Sequence, residues 1–384
     1  MKVVYLSCMP LTAKLSRDWY LDHLISAGID VEFWDITRIL RGNVTEHHRQ
    51  QRDYLLEIDE LSALEAAVVD RRDAVYVLLL PKIWAFRAVF SLLSRHHCLT
   101  VSIMWGAVPA FGAASRPAAL CLFRSPQFLL SKIRNRVHAF LLDHAGYSRP
   151  YDLVFAAGQA MLAKPASAHR TVPIALCDYD QYAQSRVGAR IVDTKYAVFL
   201  DIYLPFQSDL ALVGMQAVDP AAYFADLDRL FAAVERCYGL EVVIAMHPKA
   251  HYLNYEFRGR RLVAGRTAEL VRDAEFVICH ASTSVSYAVL NRKQVWTICT
   301  DEMERLYAYN FMLQIRALAA SLRAPLLNAS RFDEVDLPTL APPDESRYAT
   351  YQNDFVVTPG IEGGESKRIF LHEITSLRNG YRSY

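Results

Sequence analysis

Short apolar runs recur along this chain, each followed by a segment whose apolar side chains return at helical spacing. Val3–Ser7, Val31–Trp34, Ala74–Leu80, Leu99–Met104, Asp152–Ala156 and Val172–Leu176 make one such series. Tyr196–Leu200, Glu241–Met246, Phe276–Cys279 and Val295–Cys299 make a second, with a short strand around Arg261–Val263. Runs this apolar suit strands buried on both faces. Strands that alternate with helices pair in parallel, because each helix carries the chain back along the sheet. The pattern predicts an α/β protein of two Rossmann-like domains, residues 1–190 and 191–384, facing each other across a cleft, with a break near residues 180–195. Helices are predicted over Ala13–Ala27, Ile58–Val69, Trp84–Arg95, Pro220–Tyr238, Ala268–Asp273, Ser284–Asn291 and Glu302–Arg323. A last amphipathic helix, about Glu365–Leu377, is placed in the second domain.

The bulk numbers fit that division and narrow the function. At 384 residues the chain is too long for one ordinary core. Its 42 Lys and Arg nearly balance 41 Asp and Glu, so it lacks the basic footprint of a dedicated nucleic-acid binder. The seven cysteines are scattered without a C-x-x-C pair, which predicts free thiols in a reducing compartment. The N-terminal run MKVVYLSCMPL is too short for a signal peptide, and no stretch reaches the roughly 18 apolar residues of a membrane span. The expected location is the cytoplasm, with a peripheral place at the inner membrane face as an open alternative.

Ligands of such sheets sit beyond the carboxyl ends of the strands. That rule directs attention to Asp201, to His247-Pro248-Lys249 and to His280-Ala281-Ser282-Thr283-Ser284. Proline after His247 restricts its backbone to extended conformations and so fixes its direction. An imidazole there can donate to a phosphate oxygen and stabilise a departing nucleotide, and Lys249 adds a point charge. Ser282, Thr283 and Ser284 open a helical pattern. Their first role is that of an N-cap, and the same hydroxyls and N–H groups can cradle a phosphate. Either motif alone is equally a strand end or a cap. Their pairing at the ends of strands in one sheet is what points to a phosphate site.

His-Pro after one strand and a Ser/Thr cluster after another resembles the GT-B glycosyltransferases that use CMP-activated sugars. Bacterial sialyltransferases and polysialyltransferases are the nearest comparison, with capsule Kdo transferases and CDP-glycerol phosphotransferases as broader relatives. The resemblance covers mainly residues 195–300. It implies that His247 assists the leaving phosphate and that Ser282, Thr283 and Ser284 hold it. Those sialyltransferases also carry an acidic-acidic-Gly motif for the general base, of which this sequence has no clear copy. Asp201 is the substitute, a strand-end carboxylate able to take a proton from an acceptor hydroxyl; capping a turn is its other reading.

Further acids have weaker claims. Asp178-Tyr179-Asp180 superficially matches a metal-binding D-x-D, but its position near the break suits a hinge or an acceptor contact better. Asp301 and Glu302, after a strand, can meet sugar or ribose hydroxyls or serve as a cap and first-turn acid. Residues 116–142 form a basic amphipathic segment carrying Arg116, Arg124, Lys132, Arg134 and Arg136. It reads either as a membrane-surface helix or as a helix with its apolar face in the core.

No G-x-G-x-x-G, P-loop or nucleophile elbow occurs. The expected protein is an inverting, metal-independent transferase with no cofactor. It would move a sugar from a nucleotide-activated donor, CMP-sugar preferred, to a glycan or lipid-linked hydroxyl acceptor of a bacterial surface polysaccharide or lipopolysaccharide. A polyol-phosphate transferase, a nucleotide-sugar epimerase and a non-catalytic binding module are the alternatives.

Overall fold

The computed structural model describes residues 1–41, 49–105, 108–109, 126–164, 167–207, 215–253, 256–361 and 366–381. The first sheet consists of β1 (Lys2–Ser7), β2 (Asp30–Asp35), β3 (Leu55–Glu57), β4 (Val75–Leu79), β5 (Leu99–Met104), β6 (Leu153–Ala157) and β7 (Thr171–Ile174), in the order β3-β2-β1-β4-β5-β6-β7. The second holds β8 (Tyr196–Leu200), β9 (Glu241–Met246), β10 (Leu262–Ala264), β11 (Phe276–Cys279), β12 (Gln294–Cys299) and β13 (Leu326–Asn328), in the order β10-β9-β8-β11-β12-β13. Every pairing in both sheets is parallel. Both sheets thus have the doubly wound order expected from the alternating pattern.

The inner strands form because their residues are apolar on both faces. β4, β6, β8 and β11 are buried along their whole length. The helix Pro220–Tyr238 shows how local signals bound an element. Asp219 caps it by accepting the Ala222 N–H at 2.8 Å, Pro220 opens it, and Gly239 closes it in the left-handed region at φ 62°. Between these signals Tyr223, Leu227, Leu230, Phe231 and Val234 form the buried stripe against the second sheet's core. Each such side chain contributes about 1.5–3 kcal/mol by burial.

The chain divides into two compact units, but not at residue 190. One comprises the described residues of Met1–Trp105, Ser125–Ala175 and Gly360–Tyr384; the other comprises those of Leu176–Pro359, with Val108 and Pro109. The helix Cys177–Ser185 therefore belongs to the second unit, where its Asp178 bonds Ser286. The C-terminal helix Ser366–Tyr381 belongs to the first. Phe370 packs there on Phe155 at 4.9 Å and on Tyr20 at 5.3 Å, and Ser366 Oγ accepts the Ala175 N–H at 2.9 Å. Apolar periodicity marks a buried face without saying what buries it.

Other expected boundaries also shift. The helix expected over 13–27 breaks in two at Tyr20, whose φ of 59° lies in the left-handed region. The one expected over 302–323 becomes Asp301–Leu306 and Phe311–Leu322, the second begun by Asn310 accepting the Phe311 N–H. β3 and β13 are three-residue edge strands with no readable periodicity.

Of the basic segment 116–142, residues 116–125 lie outside the described residues, as does the side chain of Lys132. The remainder sits in the helix Pro126–His144. Of its apolar stripe, Ile133, Val137 and Phe140 are not core, being 52%, 50% and 61% exposed, while Leu141 is partly buried and the side chains of Phe128 and Leu129 lie outside the described residues. Among the described residues, no helix is long and apolar enough to cross a membrane.

Candidate functional site

The second sheet changes direction of winding between β8 and β11, and the carboxyl ends there form the crevice where doubly wound sheets bind ligands. Leu200 at the end of β8 pairs with Ala245 on β9 and with Cys279 on β11. The next residues outward are Asp201, Met246 and His280, so the three expected site segments leave the sheet at one level. β9 and β11 flank β8, which puts their ends two strand spacings, or about 10 Å, apart.

Asp201 lies between them and is only 6% exposed. Its Oδ1 accepts the Tyr203 N–H at 2.9 Å, closing an Asx turn. Its Oδ2 accepts the Tyr252 hydroxyl at 2.7 Å and the His247 backbone N–H at 3.2 Å. Burial pushes this carboxyl above the usual carboxylate range, and the bonds from Tyr203, Tyr252 and His247 pull it part of the way back. Burial and the Asp201 charge raise the Tyr252 phenol well above its ordinary value, so it keeps its proton and donates. A carboxylate with both oxygens already engaged by the protein supports a loop. Asp201 thus braces both its own Asx turn and the start of the His247 turn.

His247 begins a turn in which the Ala250 N–H donates to the His247 carbonyl at 2.8 Å, with Pro248 at the second position. The Lys249 N–H donates to His247 Nδ1 at 3.2 Å. With Nδ1 accepting, a neutral His247 ring carries its proton on Nε2. The ring is half-buried and lies parallel to that of Tyr203, centroids 6.4 Å apart. Tyr203 has φ 57°, a left-handed conformation unusual for an aromatic residue and of the kind that clusters at binding sites.

After β11, His280 is fully buried and belongs to the core. Its Nδ1 lies 2.8 Å from the Ile298 carbonyl, which can only accept, so Nδ1 carries the proton. Nε2 then accepts the Tyr223 hydroxyl at 2.8 Å. Burial lowers its pKa to about 4, and the ring stays neutral. Ser282 to Ser284 follow as a tight turn in which Ser282 Oγ accepts the Ser284 N–H at 3.2 Å. Ser284 precedes the helix Val285–Leu290, but its own side chain makes no capping bond. The expected serine cap is thus replaced by a turn braced from Ser282. Thr283 is exposed, and Ser282 and Ser284 are partly so.

No protein-family model matches this chain, and no curated protein is similar to it in sequence. Solved structures do match. The wall teichoic acid polymerase TagF superposes with a TM-score of 0.53 at 10% identity, over 99% of this chain and 90% of its own. The UDP-GlcNAc 2-epimerase of Methanocaldococcus jannaschii, in complex with UDP-GlcNAc and UDP, superposes with a TM-score of 0.51 at 12% identity, over 98% of this chain and 100% of its own. What they share is the GT-B fold.

The remaining expected residues are taken up within the protein. Asp178 is buried and accepts from Ser286 Oγ at 2.6 Å and the Tyr287 hydroxyl at 3.1 Å, so it braces the helix that follows the serine turn. Asp180, two positions on, is partly buried in the same helix Cys177–Ser185. Thr300, not Asp301, caps the helix after β12, accepting the Met303 N–H at 3.2 Å. Asp301 instead accepts from Asn328 at 2.9 Å and pairs with Arg331 at 3.2 Å. Glu302 accepts the Asp219 N–H at 2.8 Å and bonds Arg305 at 3.1 Å.

Sequence reasoning missed Tyr203, Tyr223 and Tyr252. Tyr252, in the run HPKAHY, had a readable signal as a polar aromatic just beyond a strand end.

Proposed function

We propose that this chain is a nucleotide-sugar-dependent transferase with its donor phosphate site at the carboxyl edge of β9, β8 and β11. The single observation that carries this reading is the arrival of His247 and the Ser282–Ser284 turn at one sheet edge, beside the winding switch. His247 Nε2–H would donate to a phosphate oxygen and stabilise the nucleotide as it leaves. Lys249 would add positive charge, and the hydroxyls and N–H groups of Ser282, Thr283 and Ser284 would hold the phosphate. The sugar would pass, with inversion and without a bound metal, to a hydroxyl of a glycan or lipid-linked acceptor in surface polysaccharide or lipopolysaccharide synthesis. CMP-sugar is the preferred donor, in keeping with the resemblance to sialyltransferases. Asp201 supports the His247 turn, and the proton acceptor is not assigned to it.

A polyol-phosphate transferase or a nucleotide-sugar epimerase has specific support as a second reading. A teichoic acid polymerase and an epimerase superpose on this chain about equally well. Thermal-shift titration with CMP, CDP, UDP and GDP tests the site. A nucleotide at about 100 times its Kd stabilises the fold by roughly 2.7 kcal/mol. Stabilisation by one nucleotide, lost in Ser282→Ala with Thr283→Ala, is the expected result. No response to any of the four overturns the reading in favour of a binding module. Mass spectrometry of the product then separates the reactions, because only the polyol-phosphate transferase adds a phosphodiester.

A further inference from the structure

The helix Pro126–His144 turns an apolar stripe outward. Ile133, Val137, Phe140 and His144 recur at spacings of four, three and four, which is one face of an α-helix. Ile133, Val137 and Phe140 are each half or more exposed, and the His144 ring stacks on Phe140 at 4.3 Å, extending the same face. At about 100° per residue, Leu142 lies diametrically opposite Ile133, and it is buried. The helix is therefore seated by its other side, with His138 stacked on Trp84 at 5.0 Å. The outward stripe is not a core face that failed to find its partner.

Charge distinguishes this face from an ordinary sticky patch. Arg134 and Arg136 fall on opposite sides of the stripe, and both are exposed. The only acid in the helix, Asp143, is neutralised by Lys82 at 2.6 Å. An exposed apolar row flanked by an arginine on each side suits a helix lying in a membrane interface, apolar side chains in the acyl boundary and guanidinium groups among anionic headgroups. A protein partner would have to match the apolar row and both flanking arginines at once. A fluid anionic lipid surface supplies that combination without a shaped complement.

We infer that the face of Ile133, Val137 and Phe140, flanked by Arg134 and Arg136, docks the first unit on an anionic lipid surface. The inference stands on this helix alone and is independent of the transfer chemistry proposed above.

The test is pelleting of the full chain with sedimentable vesicles of phosphatidylglycerol and phosphatidylcholine in equal amounts, against vesicles of phosphatidylcholine alone. Two cations at an anionic surface, each strengthening binding about fivefold, predict roughly 30-fold tighter binding to the anionic vesicles, weakened by salt. Ile133→Ser, Val137→Ser and Phe140→Ser combined replace only exposed side chains. The combined variant should keep the wild-type circular dichroism and lose pelleting. Arg134→Ala with Arg136→Ala should erase the preference for phosphatidylglycerol. The inference is overturned by absence of wild-type pelleting, by equal binding to both vesicle types, or by a serine variant that pellets like wild type. Concentration-dependent self-association of the wild type without lipid, abolished in the serine variant and unaccompanied by vesicle binding, would assign the face to a second copy of the chain instead.

Discussion

The carboxylate of Asp201 holds the backbone of His247, not its imidazole, through the N–H at 3.2 Å. The same oxygen takes the Tyr252 hydroxyl at 2.7 Å. Tyr252→Phe removes one donor from a buried charge and should cost about 1–3 kcal/mol in chemical denaturation. If Asp201 positions the turn, this change should also lower nucleotide binding, although Tyr252 itself need not touch the ligand. Unaltered stability in Tyr252→Phe would show that the bond does not hold the loop.

His247 is half-buried and ends its strand on a turn, so its removal should barely disturb the fold. On the proposed chemistry, His247→Ala lowers turnover by about 10²–10⁴ while unfolding free energy moves by less than about 1 kcal/mol. Turnover equal to wild type with CMP- and UDP-sugar donors would remove His247 from the mechanism.

His280 gives the chain a defined acid sensitivity. Its folded pKa of about 4 lies below the ordinary histidine value near 6.5. A group depressed on folding stabilises the native state above its unfolded pKa, and that contribution is lost as pH falls through the folded value. The window therefore runs from about pH 6.5 down to about 4, and the loss is roughly 3 kcal/mol. His280→Leu should be less stable at neutral pH, having lost the bonds to Tyr223 and Ile298, yet should decline less steeply with acid. Parallel pH slopes for the two proteins would contradict this assignment.

Asp178 links two segments far apart in sequence through Ser286 and Tyr287. Asp178→Ala removes a buried acceptor used by both and should destabilise by about 3 kcal/mol. In a double-mutant cycle with Ser286→Ala, a coupling energy of about 1 kcal/mol or more is expected. Strict additivity would mean that the 2.6 Å contact contributes nothing net.

What could be read in advance follows from how local each signal is. The helix Pro220–Tyr238 was legible because Asp219, Pro220 and Gly239 are short-range signals that act whatever surrounds them. β8, β9 and β11 were legible because each holds an uninterrupted apolar run, as strands buried on both faces do. With the strands placed, the crevice rule alone brought His247 and Ser282 to one edge. The bonding of Asp201 was not legible, since a strand-end aspartate looks the same whether it reaches solvent or gathers three donors. The Asp178–Ser286 contact was hidden for a related reason. Nothing in either neighbourhood records a partner so far along the chain. The outward stripe of Ile133, Val137 and Phe140 shows the converse limit, for an apolar helical face looks alike whether it is covered or bare.

The return of Ser366–Tyr381 to the first unit bears on the order in which the protein comes into being. During synthesis, every residue of the second unit has been joined before the helix that covers Tyr20 and Phe155 is made. The half of the molecule begun first is thus completed last, and a ribosome that stalls near residue 360 would release a finished second unit attached to an unclosed first one.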